Sequence, residues 1–567
     1  MDTAVLSTAH AQTRAGDKPV LVNPSAVDPL WWRSAVIYEI YIRSFADGNG
    51  DGTGDLAGVR AHLPYLRDLG VDAIWFTPWY PSPLADGGYD VEDYFSVHPS
   101  FGDLAEAEAL IREALALGIR TIIDVVPNHI SDQHPWFKAA LASPPGSPER
   151  ERFWFRPGRG ANGDEMPNHW VSNFQGDTWT RTTNADGTPG EWYLHLFTPE
   201  QPDLNWNNPD VRKLHEDVLR FWFDRGVAGV RIDSAALLIK DPELSEVPDD
   251  PAPGQHPNTD RDEVHDVYRS WRAIADSYEG TRVLVGEVWL PDTERFAKYL
   301  RPDEMHTAFN FDFMARPWDA AQLRDSIDSM LAAHAPVGAP STWVLSNHDV
   351  TRPVTRYGRE DTSFAFATKR FGTPTDLALG TRRARAAALL SAALPGSLYV
   401  YQGDELGLPE AEDIPVELRE DPMYFRSEGV DPGRDGCRVP LPWSGTRPPF
   451  GFEPDGSTTE PWLPQPTDWA TLTVEAEAGD SSSMLSLYRT ALSIRRSHPA
   501  LGDGTLTWIE SAPGVLAFSR GLGFVNVTNL SDQAVELPLH VRLLLTSSTL
   551  KNGLLPPDST AWLRTQH

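Results

Sequence analysis

Short apolar runs recur from about residue 31 to residue 401, with helical patterns between them. The runs cover 36–41, 73–76, 121–126, 227–232, 283–285, 308–311, 342–345 and 397–401. Their lengths and composition predict buried strands. The stretches 56–70, 105–118 and 209–226 are amphipathic, and each closes on a glycine suited to a helix C-cap. Eight strand–helix alternations predict an α/β fold, a (β/α)8 TIM barrel, in preference to a doubly wound open sheet.

The spacing breaks once. The gap between Asp124 and Asp233 is more than twice that between earlier strands, and 130–203 is rich in Trp, Asn, Gly and Pro without helical periodicity. This predicts an inserted subdomain after strand 3, on the face of the strand C-termini. From about residue 501 the pattern alternates, with runs at 505–509, 515–519, 524–528, 534–537 and 542–545, which predicts a C-terminal antiparallel β domain. The expected organisation is a flexible N-terminal arm (1–28), a barrel (29–129 and 204–500), an insert (130–203) and a β domain (501–567).

Acids sit where the apolar runs end. Asp233 closes Gly-Val-Arg-Ile-Asp, Glu287 lies in Val-Gly-Glu-Val-Trp, Asp349 in Ser-Asn-His-Asp and Asp124 in Ile-Ile-Asp-Val-Val-Pro-Asn-His. Barrel strands present their C-terminal ends at one mouth, so these four carboxyls converge. Crowding of like charge raises at least one pKa and keeps one acid able to donate, the division of labour that glycoside hydrolysis needs. Arg231 stands two residues before Asp233 and so shares its side of the strand. Alone, that pair also fits a structural ion pair.

Bulk properties narrow the setting. The formal net charge of −31 argues against nucleic acid or an anionic membrane as partner. The single cysteine, Cys437, excludes an intrachain disulfide framework. No apolar stretch is long enough for a membrane span, and the polar N-terminus lacks a signal-peptide core, so a cytoplasmic location is expected. Oligomeric state is left open.

A second acidic motif, Asp47-Gly-Asn49-Gly-Asp51-Gly-Thr53-Gly-Asp55, alternates oxygen side chains with glycines. That pattern lets a tight loop wrap Ca²⁺ or Mg²⁺. It also fits a metal-free run of Asx turns. Position 12 is Gly58 rather than Glu, so it is not an EF-hand loop.

Taken together, Asp124-Val-Val-Pro-Asn128-His129, Gly229-Val-Arg231-Ile-Asp233, Gly286-Glu287-Val-Trp289 and Asn347-His348-Asp349 resemble the α-amylase superfamily, glycoside hydrolase family 13. The motif Gln201-Pro-Asp-Leu-Asn-Trp206 is similar to the signature of its α-glucosidase/oligo-1,6-glucosidase branch. The resemblance implies Asp233 as nucleophile, Glu287 as general acid/base and Asp349 as transition-state stabiliser. It implies Arg231 as the group orienting Asp233, and His129 and His348 as partners of sugar hydroxyls. Asp86-Gly-Gly-Tyr89-Asp90 resembles the family's pocket-closing motif, with Tyr89 stacking on the terminal glucose and Asp86 binding its hydroxyls. Arg438 is expected to pair with Asp86 at the blind end, with Arg352 and Arg434 as alternatives. Ser234, small and beside the nucleophile, favours α-1,4 over α-1,6 substrates by the same resemblance, which also implies a structural Ca²⁺ at Asp47–Asp55.

The implied activity is an exo-acting retaining α-glucosidase on short oligosaccharides, with transglucosylation where a sugar hydroxyl replaces water. A trehalose synthase-like isomerase or transglucosylase shares every catalytic residue and stays open. A non-enzymatic member resembling amino-acid transporter heavy chains fits poorly, because the acids are intact and no span is present. Trp79, Phe174 and Phe311 lie near the expected pocket and fit core positions equally well.

Overall fold

The structure, a computed structural model, describes residues 28–366 and 369–566. The arm expected over 1–28 lies outside these, apart from its last residue. Three parallel strands open the fold: β1 (Val36–Ile40), β2 (Ala73–Phe76) and β3 (Arg120–Val125). An excursion follows with β4 (Phe155–Arg156), β5 (Trp179–Thr183) and β6 (Pro189–Leu194). The parallel sheet resumes with β7 (Gly229–Ile232), β8 (Val283–Gly286), β9 (Thr307–Ala308), β10 (Thr342–Trp343) and β11 (Ser397–Tyr401). The C-terminal strands are β12 (Thr507–Trp508), β13 (Val515–Gly521), β14 (Phe524–Asn529), β15 (Arg542–Thr546) and β16 (Ser559–Arg564).

The large sheet runs β10-β11-β1-β2-β3-β7-β8-β9, a near-closed eight-stranded parallel barrel. Its two ends meet across a seam bridged by Thr342. The hydroxyl donates to the Ala308 carbonyl at 2.7 Å and accepts from the Asn310 N–H at 3.0 Å. Side-chain alternation sorts the strands into two apolar layers. Ile37, Trp75, Ile122 and Val285 fill the lumen, while Tyr38, Ile74, Ile123 and Leu284 face the helices.

The helices begin and end as their sequences dictate. Asp55 caps Leu56–Leu69 by accepting from the Gly58 N–H, and Gly70 closes it in the left-handed region at φ 99°. Asp103 and Glu106 form a reciprocal capping box at the start of Leu104–Ala116. Pro209 stands in the first turn of Pro209–Asp224 behind the capping Asn208.

Three local expectations differ from the structure. The insert holds a helix, Pro135–Ala142, capped by His134; eight residues are too few for a visible period. The run at 308–311 is strand only to Ala308, because Asn310 caps a short helix from Phe311. Residues 534–537 make a single bridge, Val535 to Leu555, and β16 takes the place of the fifth strand.

The insert has an apolar cluster of its own, built on Trp154, Trp170, Trp179 and Leu194. The C-terminal sheet, ordered β12-β13-β14-β16-β15, docks on the barrel helix Leu377–Ala393. There the Trp562 indole donates to the Leu389 carbonyl at 3.1 Å, and the Thr560 hydroxyl to that of Ala386 at 2.8 Å. Covered on both sides, that helix is alanine-rich and buried through its C-terminal half.

Candidate active site

Register places the acids. Asp124 on β3 is paired with Arg231 on β7, and Ile232 with Gly286 on β8, so Asp233 and Glu287 leave adjacent strands side by side. Arg231 lies beneath them, 1 % exposed. Its Nη1 meets Asp233 Oδ1 at 2.7 Å and Asp124 Oδ2 at 2.9 Å, and its Nη2 meets Glu287 Oε2 at 2.7 Å. One guanidinium therefore holds three carboxyls. The same-side reading of Arg231 and Asp233 corresponds to a real contact, and Asp124 belongs to the foundation rather than the pocket wall.

Electrostatics follow from burial. Removal from water pushes the Asp233 carboxyl well above the ordinary carboxylate range, Arg231 opposes this, and Glu287 and Asp124 add repulsion. Asp124 rises to about 7, chiefly by burial against the pull of Arg231. Burial first and crowding second thus raise both Asp233 and Asp124, and Asp233 is the one that the resemblance makes the nucleophile and that must ionise to attack. Arg231 is the group that favours that ionisation. At Asp349 burial also pushes upward, but His348, Arg434 and Arg438 outweigh it and hold the carboxyl below its usual range.

A cavity of about 400 Å³ opens over these groups. Asp86, Tyr89, His129, His348, Asp349 and Arg434 line one part, and Phe174, Phe197, Trp289 and Phe366 give it apolar walls. The Tyr89 hydroxyl donates to Asp124 Oδ2 at 3.0 Å and lies 2.8 Å from His348 Nε2. His348 Nδ1 is bonded to Glu39 on β1. His129 Nε2 lies 3.0 Å from the Tyr89 carbonyl, and burial drives its pKa down to about 3, so the ring is neutral. The turn carrying Tyr89 needs its glycines: Gly87 and Gly88 have φ of 59° and 107°, and a Cβ on Gly87 would stand 2.7 Å from the Tyr41 hydroxyl.

The closed end differs from expectation. Arg434, not Arg438, pairs with Asp86, through Nη2 to Oδ1 at 2.6 Å. The Arg434 Nε also meets Asp421 Oδ2 at 2.7 Å and its Nη1 meets Asp349 Oδ1 at 3.1 Å. Arg438 instead reaches Asp349 Oδ1 at 2.8 Å and donates to the His348 carbonyl at 2.8 Å. It follows the single turn Asp435–Cys437, which swings it behind Asp349 rather than towards Asp86. Arg352 is spent on the carbonyls of Gln402 and Cys437.

Ser234 lines the pocket in the left-handed region at φ 47°, and its N–H donates to Glu287 Oε2 at 2.9 Å. Gln201 belongs to the site through its Nε2, which donates to Asp86 Oδ2 at 3.0 Å. Its place in the Gln201–Trp206 motif was the available signal. Glu39, a charged residue inside the apolar first run, carried a signal too, since an unpaired carboxyl is costly there. Asp421 caps the short helix Pro422–Arg426, so Asp-Pro marked a helix start there but nothing pointed to the pocket. Phe174 lines the cavity, Phe311 supports Trp289 from behind, and Trp79 is core.

In the Asp47–Asp55 loop the side chains turn onto their own backbone. Asp47 accepts from the N–H groups of Asn49, Gly50 and Gly52; Asn49 accepts from Asp51, and Asp51 from Thr53. Asp55 accepts from Gly48 and Gly58. Among the described residues no three acidic, His or Cys side chains gather closely enough to hold a metal ion. As arranged, the loop fits Asx turns and a helix cap; cation ligation would need these oxygens to turn inward.

Comparison with known proteins places this geometry. Residues 39–504 match the α-amylase catalytic-domain family. A probable α-glucosidase of Rhizobium meliloti is 36 % identical over 90 % of this chain and 92 % of its own. An oligo-1,6-glucosidase of Parageobacillus thermoglucosidasius is 32 % identical over 91 % and 93 %. The solved structure of a trehalulose synthase variant superposes with a TM-score of 0.81 at 30 % identity, covering 94 % of this chain and 100 % of the other.

Proposed function

The chain belongs to the α-amylase catalytic-domain family, and from that premise we propose that it is an exo-acting retaining α-glucosidase. It removes terminal non-reducing glucose from short α-glucosidic oligosaccharides. The observation that carries exo action is the Arg434 guanidinium tied to Asp86, Asp421 and Asp349, which stoppers one end of the cavity. A chain interior cannot thread such a pocket; a terminal glucose can enter it.

In the mechanism, an Asp233 oxygen bonds the anomeric carbon as Glu287 gives its proton to the departing glycosidic oxygen. Glu287 then takes a proton from water as that water displaces Asp233, and two inversions give net retention. Two carboxyls on adjacent nitrogens of one guanidinium suit the spacing of roughly 5–5.5 Å that retaining enzymes use. Asp349, kept ionised by Arg434 and Arg438, is placed to hold sugar hydroxyls as charge develops on the ring. Reaction with maltose, followed by NMR, is expected to release α-glucose first. A β-anomer would overturn the mechanism, and full activity of Asp233→Ala would overturn the assignment.

A second reading is transglucosylation or isomerisation, favoured by the apolar wall of Phe174, Trp289 and Phe366, which disfavours water relative to a sugar acceptor. Assay of maltose for trehalose as against free glucose separates the two. The α-1,4 preference rests on Ser234; an unchanged α-1,4 to α-1,6 ratio in Ser234→Val would remove it. We also propose that the Asp47–Asp55 loop takes a structural Ca²⁺ or Mg²⁺, supported by its alternating oxygens. Calcium is then expected to raise Tm in the wild type and not in Asp51→Asn; no rise in either sinks the proposal. A cytoplasmic location is supported by the single cysteine and by the finding that no described helix is long and apolar enough to cross a membrane. Cell fractionation tests it.

A further inference from the structure

We infer that Trp289 is a positioning residue that aims the Glu287 carboxyl, making Oε1 the oxygen that exchanges a proton with the substrate. The inference rests on the reading of Glu287 as acid/base. The two oxygens of Glu287 have unequal surroundings. Oε2 accepts the Ser234 N–H at 2.9 Å and stands 2.7 Å from the Arg231 Nη2 in an ion pair. A proton there would face the Ser234 N–H donor and the positive charge of the Arg231 guanidinium. Oε1 takes a single donor, the Trp289 indole N–H at 3.0 Å, and keeps a lone pair for a proton. An indole nitrogen only donates, so it cannot relay that proton elsewhere.

Each donor is itself rigid. Ser234 aims its N–H through a left-handed backbone that non-glycine residues seldom adopt. Trp289 stacks on Phe311 with ring centroids 3.7 Å apart and planes 3° from parallel, and the Phe366 ring meets it at 4.9 Å. The stack leaves the indole little freedom to turn its N–H away.

The chemistry assigns a use to this asymmetry. As the C1–O bond breaks, its electrons pass to the glycosidic oxygen, which takes the proton from Oε1 while Asp233 bonds C1. The charge left on Oε1 is met by the Trp289 N–H. In the second step a water oxygen bonds C1, its proton returns to Oε1, and the C1–Asp233 bond breaks. The indole stabilises the carboxylate that the first step creates and the second step needs.

Trp289→Phe keeps an aromatic ring against Phe311 and removes the N–H donor along with part of the ring. With maltose, whose leaving group needs a proton, kcat/KM is expected to fall about ten- to a hundredfold. With α-glucosyl fluoride, whose leaving group needs none, the initial burst of fluoride is expected to stay within about threefold of wild type. That burst also reports an intact pocket. Wild-type turnover of maltose, or equal losses on both substrates, would overturn the proposal, the latter showing a packing role alone. Glu287→Gln is the companion: it should lose maltose turnover far more than the fluoride burst. If it keeps maltose turnover, the reading of Glu287 has failed, whatever Trp289 does.

Discussion

The barrel mouth and the Asp47–Asp55 loop both bury carboxyls, and they satisfy them by different means. At the mouth the partners are guanidiniums. Arg231 serves Asp124, Asp233 and Glu287, Arg434 serves Asp86, Asp349 and Asp421, and Arg438 adds a contact to Asp349. In the loop the partners are backbone N–H groups of the same few residues. A guanidinium brings a full charge and several rigid donors, so it can hold acids from different elements together, and among them Asp233 and Asp349 are each held through one oxygen. Backbone N–H groups engage the carboxylate locally and shape the nearby chain. The difference teaches that acid-rich motifs in one chain are told apart by what counters them.

The comparison can be broken most forcefully at Arg231. Arg231→Met leaves three buried acids without their counter-charge, and kcat/KM is expected to drop by about 10³-fold or more. Denaturant unfolding should also show a loss of about 3 kcal/mol. A mild change in both would mean that Arg231 is not what holds the acids.

Arg434→Ala tests the closed end. Stability is expected to fall by about 3 kcal/mol, with KM for maltose raised more than kcat is lowered and cleavage of blocked, internal α-glucosidic bonds appearing. Retention of strict exo action would show that the stopper lies elsewhere.

In the loop, Asp47→Ala removes the acceptor for three N–H groups. About 2 kcal/mol of stability should be lost, with far less effect on kcat/KM than Arg231→Met. A catalytic loss of similar size would erase the distinction between the regions.

The smallest effect concerns a pocket group that meets burial by staying neutral. The His129 pKa is driven down from 6.5 to about 3 by burial. The unfolded chain therefore binds more protons between those values. Its contribution is full above pH 6.5 and is lost as pH falls towards about 3. Relative to wild type, His129→Gln should show a shallower decline of Tm on acidification; an equal slope would assign the decline to other groups.

Much of the molecule was legible along the chain. Gly70 ends its helix where the pattern changes, and the insert shows itself as the one long gap between strands. Asp233, Glu287 and Asp349 were readable because each closes an apolar run, and a barrel carries all such ends to one mouth. The insert helix was legible in principle, since Pro135 at a first turn behind His134 is a start signal, but its eight residues hid the period. Strand β16 was missed because it follows two prolines and a turn, where a strand is not the local preference. The choice between Arg434 and Arg438 was not legible at all. They sit four residues apart in a loop of irregular backbone, and no periodicity there says which side chain turns towards Asp86.

The sequence by itself determined the barrel, the presence of an insert after the third strand, the C-terminal β domain and which acids stand at the strand ends, because these follow from periodicity and from residues adjacent along the chain. Only the tertiary structure decided which cation counters which acid, that the loop carboxyls cap their own backbone, and that Trp289 faces one oxygen of Glu287. Those pairings join residues tens to hundreds of positions apart, or depend on where a loop turns, and distances of that kind exist only once the chain has folded.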